Sequence, residues 1–265
     1  MEGAFFDLDK TIVSKSSSLA LTRPMYRAGL VSRSALLKGA YGHLVYVLMG
    51  ADDKKMERAK DAMLALSKGW DREEVEELVR EVLDEVLDPF LYLEALDLIQ
   101  LHRALGRKVF IVSSSPEEVV RPMADRIGVD DVIATRAETE DGRYTGRLEF
   151  YAYGQSKADA VREVAEREGL DLSSSYAYTD SITDLPMLEA VGHPIAVNPD
   201  RDLRKVATER GWRIRDFRRP VRMRTRLADS VPRPPMTVAL GAGVLAAAIA
   251  VAWMYLRPRL ARSRG

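Results

Sequence analysis

Asp7 and Asp9 stand two residues apart in FFDLDKT, at the end of a short apolar run. Two carboxylates this close repel each other unless a cation or a shared proton intervenes. At a strand's end the chain turns into a loop, so both can reach one site. Three further elements share that kind of placement. Ser113 follows the apolar run KVFIV, Lys157 opens a helix in GQSK, and Asp180 and Asp184 lie four residues apart after the apolar start of YAYTDSITD. Each has a bland reading by itself: a turn serine, a surface lysine, a helix-start acid. Together, in this order and each at a strand end or helix start, they point to one chemical site.

Composition narrows the chemistry. The chain has no cysteine, which removes disulfides, thiolate metal sites and cysteine nucleophiles. Its three histidines, His43, His102 and His193, lie far apart and lack ligand spacing. A metal here would be held mostly by oxygen, which is magnesium-like chemistry.

The elements that must position these groups read as alternating strands and helices. GAFFDL, apolar but for Asp7, reads as a short strand of the kind buried at the centre of a parallel sheet. Further strands are expected at 108–112, 132–134, 176–179 and 194–197, with an amphipathic helix over 156–168. Asp141-Gly142 between strand-like runs is a hairpin signal. The alternation predicts an α/β fold with a doubly wound (Rossmann-like) parallel sheet. Residues 14–89 break the rhythm. They show no convincing strand, and Val75, Leu78, Val79, Val82, Leu83 and Val86 form a helical stripe behind an N-cap at Asp71. This reads as an α-helical cap inserted after the first strand, over the carboxyl edge of the sheet. Its stretch 39–50, GAYGHLVYVLMG, reads as an apolar helix.

The net charge of zero hides an asymmetry: residues 201–265 carry 16 Arg or Lys against 4 Asp or Glu, and residues 1–200 carry 24 against 36. Residues 236–256, MTVALGAGVLAAAIAVAWMYL, run 21 positions without a charge. A helix of that length spans roughly 30 Å, the hydrocarbon thickness of a bilayer. Trp253 and Tyr255 lie near its far end, where amphipathic rings favour the interface. Ahead of it RRPVRMRTR places five arginines in nine residues, a cluster attracted to anionic headgroups. The expected organisation is a core of 1–13 and 90–217, a cap of 14–89, a basic linker of 218–235, a transmembrane helix of 236–256 and a basic tail of 257–265. MEGAFFDLDKT has no basic n-region, so the catalytic body is expected in the cytoplasm, tethered by a single membrane pass. Arginines on both sides of the span leave the side of the tail open. Nucleic acid is not an expected partner, because the basic run lacks interleaved aromatics.

Over about residues 4–217 the sequence resembles the haloacid dehalogenase-like hydrolase superfamily, and within it the phosphoserine-phosphatase-like subfamily IB. The matching motifs are DLDKT, the Ser113 of IVSSSP, Lys157, and the Asp180…Asp184 pair. The resemblance implies that Asp7 attacks phosphorus to form an aspartyl-phosphate and that Asp9 serves as general acid and then base. It implies Mg²⁺ held by Asp7, the backbone carbonyl of Asp9, Asp180 and waters. It implies phosphoryl oxygens bound by Ser113 and Lys157, with Thr11 supporting the turn and Asp184 holding a metal-bound water or orienting Lys157. There are departures. The acid that phosphoserine phosphatases carry nine positions after the nucleophile is Ser16, their SGG is SSS, and the Gly before the fourth-motif Asp is Thr179. The expected function is an Mg²⁺-dependent phosphomonoesterase acting on a small phosphorylated metabolite of the phosphoserine or histidinol-phosphate kind. A lipid-phosphate head-group phosphatase, with anionic membrane lipids as partners, is one alternative. A catalytically silent, membrane-anchored binding protein is another.

Overall fold

The computed structural model describes residues 1–29, 53–86 and 90–221. Its centre is a seven-stranded sheet. β1 (Gly3–Phe6), β3 (Lys108–Pro116), β4 (Asp131–Glu140), β6 (Tyr176–Thr179), β7 (His193–Val197) and β8 (Arg213–Arg215) run parallel, and β5 (Arg143–Phe150) closes one edge antiparallel to β4. The spatial order is β5-β4-β3-β1-β6-β7-β8. Without β5 this is the doubly wound order, whose strand direction of travel reverses at β1. Ligands in such sheets bind beyond the carboxyl ends of the strands flanking that reversal, which here are β1, β3 and β6. Register brings the chemistry level: Phe6 pairs with Ile111 on one side and Tyr178 on the other. Asp7 and Asp180, just past their strands, and Ser113, still within β3, therefore lie within two residues of one level at the sheet's carboxyl end.

The strands are apolar on both faces because helices cover both. Phe6, Ile111 and Tyr178 belong to one buried cluster, Phe5, Phe110 and Ala177 to the other. Phe6 stacks on Tyr178 with ring centroids 4.2 Å apart, and Phe5 stacks on Phe110 at 5.1 Å. The first cluster takes in Leu96 and Ile99 of α4 (Leu93–Ala104) and Val120 and Met123 of α5 (Glu117–Ile127). The second takes in Val161 and Ala165 of α6 (Gln155–Glu168), Leu188 of α7 (Leu185–Glu189) and Leu203 of α8 (Arg201–Glu209).

Between β1 and β2 (Leu91–Tyr92) lie α1 (Ser17–Arg27), α2 (Asp53–Ser67) and α3 (Arg72–Val86), all helical as the spacing predicts. Asp71 caps α3: its Oδ1 accepts from the backbone N–H groups of Glu73 (3.0 Å) and Glu74 (3.4 Å). Val75, Val79 and Leu83 of the stripe are buried. The β4–β5 hairpin turns on Asp141 and Gly142, whose φ values of 50° and 77° suit a two-residue hairpin turn. Its arm meets the approach to α3, where Tyr144 N donates to Trp70 O (3.0 Å) and Gly69 N to Tyr144 O (2.8 Å).

Some expectations need correction. β3 does not end before Ser113 but continues through the serines to Pro116, with its register against β4 shifting between Ser113 and Pro116. The serines stay in the strand because Ser113 and Ser115 are buried and bonded, not solvated. β8 was hidden by its composition, since Arg-Ile-Arg at a sheet edge shows little apolar pattern. Within the stretch 218–235 read as a basic linker, Pro220–Val221 form β9, which pairs antiparallel with β2. The apolar stretch 39–50 and the transmembrane helix expected at 236–256, with the tail behind it, lie outside the described residues. Among the described residues no helix is long and apolar enough to cross a membrane.

Candidate active site

The site is organised by one buried lysine. Gly154, at φ 56°, turns the chain into α6, and Lys157 in its first turn points into the sheet's carboxyl end with 2% of its surface exposed. Its Nζ donates to Asp7 Oδ1 and to Asp184 Oδ2, each at 2.8 Å. Asp184 ends a 3₁₀ turn, Ile182–Asp184, that folds the chain after β6 back toward Lys157. Its Oδ2 also accepts the Thr179 hydroxyl at 2.7 Å. Burial alone would favour a neutral lysine, but the Asp184 and Asp7 carboxylates overturn that and hold Lys157 above the usual lysine range. Burial pushes Asp7 up to about 8, against the pull of Lys157 and with the repulsion of Asp184 and Asp180.

Asp9 faces a different set of partners. Its Oδ1 accepts the backbone N–H of Ser17 at 2.8 Å, and its Oδ2 accepts the hydroxyls of Ser115 (3.2 Å) and Ser17 (3.3 Å). Ser113, 1% exposed, accepts the Ser115 backbone N–H at Oγ, 3.1 Å away. Asp180 is buried, and burial raises its carboxyl to about 6, although Lys10 opposes the shift with Nζ 3.7 Å from Oδ2. Thr11 donates its backbone N–H to Leu8 O at 3.3 Å, while its buried hydroxyl has no partner among the described residues. What ties Thr11 to the turn is therefore its backbone and not its hydroxyl.

The structure thus joins Asp7, Lys157 and Asp184 directly, and links Asp9 to Ser113 through Ser115. Asp180 lies near enough to Asp7 to raise its carboxyl. Residues that sequence reasoning missed are Ser17, Ser115, Lys10 and Asp200. Asp200 accepts from Leu203 N (2.8 Å) and Ile182 N (2.9 Å), tying the loop after β6 to α8. An acid at the start of a helix in NPDRD was its available signal. Ser17 and Ser115 sit in serine runs that read as turns.

Asp7, Asp180 and Asp184 are buried and Asp9 is half-buried, and among the described residues the one buried cation beside them is Lys157, while Lys10 is mostly exposed. That surplus of carboxyl groups over buried cations suits a hard divalent cation with oxygen donors. Among the described residues no three His, Asp or Glu side chains form a metal cluster by themselves. A fitting donor set is two carboxylates, Asp7 and Asp180, completed by the Asp9 carbonyl oxygen and water.

The Thr179 hydroxyl is a donor to a buried carboxylate, and such bonds are worth about 1.5–3 kcal/mol. Thr179→Val keeps the shape and removes the donor. We expect it to lower the unfolding free energy by about that amount, as measured by urea denaturation.

The sequence profile of the family described as "HAD: haloacid dehalogenase-like hydrolase" matches residues 4–189. A probable phosphatase of Mycobacterium tuberculosis is 48% identical over 96% of this chain and 88% of its own length. A phosphoserine phosphatase of the same organism is 36% identical over 92% of this chain and 79% of its own. A histidinol-phosphatase of Neisseria meningitidis is 31% identical over 81% of this chain and 98% of its own. The site at the sheet's reversal and these relatives agree on an enzyme of the phosphatase kind. The chain belongs to the haloacid dehalogenase-like hydrolase family.

Proposed function

We propose that the enzyme is an Mg²⁺-dependent phosphomonoesterase that works through an aspartyl-phosphate on Asp7 and acts on a small phosphorylated metabolite. The observation that supports this most is the bridge from Lys157 to both Asp7 and Asp184 at the reversal of the sheet. Lys157 holds Oδ1 of Asp7 and thereby fixes the direction of Oδ2, the oxygen that attacks phosphorus. The bond from phosphorus to the ester oxygen breaks, and Asp9 gives that oxygen its proton. Asp9 then takes a proton from the water that hydrolyses the aspartyl-phosphate, releasing inorganic phosphate and restoring Asp7. Lys157 and Ser113 bind the phosphoryl oxygens as charge builds on them. Asp7, the Asp9 carbonyl oxygen and Asp180 would hold Mg²⁺, which when bound would supply positive charge against the carboxylates and the phosphoryl group. The helices α1, α2 and α3 serve as the described part of the cap of this site.

Relatives that include a phosphoserine phosphatase and a histidinol-phosphatase support a small phosphomonoester. Ser16 weighs against phosphoserine. It lies at the N-terminus of α1 and brings no negative charge to meet an ammonium group. A purified full-length sample assayed on phosphoserine, histidinol phosphate and detergent-dispersed phosphatidate tests the reading. We expect turnover of a soluble ester that stops with a chelator and returns with Mg²⁺. Turnover that survives the chelator would reject the metal. No turnover on any ester would favour the silent binding protein.

The uncharged run 236–256 and the arginines before it favour a second reading, in which the enzyme is held at a membrane with its body in the cytoplasm and takes a lipid phosphate. The span should keep the full chain in the membrane fraction through high salt and alkaline carbonate, since it is retained by apolar transfer and not by charge. Release by salt alone would leave only the arginines as an anchor. Faster turnover of phosphatidate than of soluble esters would favour the lipid substrate.

A further inference from the structure

Asp9 is gripped on both carboxylate oxygens by two serines that lie far apart in the chain. Ser17 is the first residue of α1, and Ser115 lies on β3, 98 positions later. Both are buried, at 0% and 5% exposure. The two hydroxyls are 3.0 Å apart, and each also reaches Asp9 Oδ2, at 3.3 Å from Ser17 and 3.2 Å from Ser115. The three oxygens close a triangle, while Oδ1 is pinned from the other side by the Ser17 backbone N–H at 2.8 Å. A carboxyl group held only by its own Cα would rotate about its side-chain bonds. One held at both oxygens keeps a single direction.

We propose that Ser17 and Ser115 are positioning residues that fix the proton-transfer direction of Asp9, and that the α1 start and β3 are thereby joined at the reacting group. The proposal rests on the reading of Asp9 as general acid and base. Ser115 extends the effect to Ser113, because its backbone N–H occupies Ser113 Oγ at 3.1 Å. The serine run after KVFIV thus aims two different groups of the site through neighbouring residues.

The consequence is specific to the leaving group. An alkyl ester needs its oxygen protonated as it departs, whereas p-nitrophenolate departs without help. The experiment compares kcat/KM, which reports the phosphoryl-transfer half only, on an alkyl phosphomonoester and on p-nitrophenyl phosphate. It uses the full-length parent, Ser115→Ala, Ser17→Ala and Asp9→Asn. We expect Ser115→Ala and Ser17→Ala to lose roughly tenfold or more on the alkyl ester and less than about threefold on p-nitrophenyl phosphate, a smaller copy of the Asp9→Asn pattern. Ser115→Gly, which removes the same hydroxyl, substitutes if Ser115→Ala does not fold. Equal losses on both esters, or no loss, would overturn the proposal while Asp9→Asn still shows the leaving-group dependence. If Asp9→Asn itself shows none, the reading of Asp9 fails first and the proposal fails with it.

Discussion

Asp7→Asn is expected to fold, to lose activity by at least a factor on the order of 10⁴, and to be more heat-stable than the parent when both are free of metal. The first part follows from removing the nucleophile: Asn keeps the shape but cannot form the acyl phosphate. The second follows from the buried carboxyl. Burial raises Asp7 to about 8 from an ordinary value near 3.8. Across that window the folded protein keeps a proton on Asp7 that the unfolded chain has released, so stability falls as pH rises. Asp180, raised to about 6, adds a slope of the same sign over the lower part of the range. Asn has no proton to release, so its contribution to the slope vanishes. Thermal scans in chelator from pH 4 to pH 8 check this. The Tm advantage of Asp7→Asn over the parent should grow as pH rises through this window, while the buried His102, held down to about 4, gives both proteins the same opposing slope. An advantage that shrinks or vanishes toward pH 8 would contradict the burial argument. Added Mg²⁺ should lift the parent more than the variant, because binding to the folded state alone stabilises it.

Lys157→Met should have the largest effect on folding. The lysine lies between two carboxylates with 2% of its surface exposed, so its removal leaves both without their buried counter-charge. Breaking a buried pair from one side costs about 3–5 kcal/mol. The loss should be greater at alkaline pH, because the parent's Asp7 ionises there with the help of the lysine, whereas the variant's Asp7 must stay protonated at growing cost. Activity should fall by a further factor on the order of 10²–10³, the usual cost of one transition-state donor. Urea unfolding at pH 6 and pH 8.5, beside a phosphatase assay, separates the two effects. A variant as stable as the parent at pH 8.5 would show that the two carboxylates are relieved by something other than this lysine.

The parts of this architecture that show in the sequence are those where burial leaves a simple pattern. β1, β3, β6 and β7 are apolar on both faces because helices cover both, so they stand out as short apolar runs. Asp7, Ser113 and Asp180 are legible because each lies just beyond or within the end of such a run. The turn at Asp141-Gly142 is legible because few residues other than glycine accept its backbone angles. What did not show depends on contacts between distant residues. Ser17 and Ser115 look like any turn serine until the fold brings them 3.0 Å apart. Asp200 looks like a helix cap, which it is, while its second oxygen secures the loop that carries Asp184. β8 and β9 are short edge pieces whose arginines and proline mask any strand signal.

The two borders of the sheet bear on how the chain survives refolding. At one border β5 presents charge, with Arg147 paired to Glu138 at 2.7 Å and Arg136 to Glu149 at 3.5 Å. At the other, β8 is three residues long and two of them are arginines. Neither border is a template onto which a second copy can easily add a strand. The middle of the sheet is different. β1 must wait for β6, and the contact between Gly3 and Ser175 closes 172 residues of chain, so the most apolar strands pair late. Material lost to aggregation on dilution from denaturant should therefore come from uncovered β1 and β6 segments in partly folded chains, and the finished protein should stay monodisperse at its sheet borders.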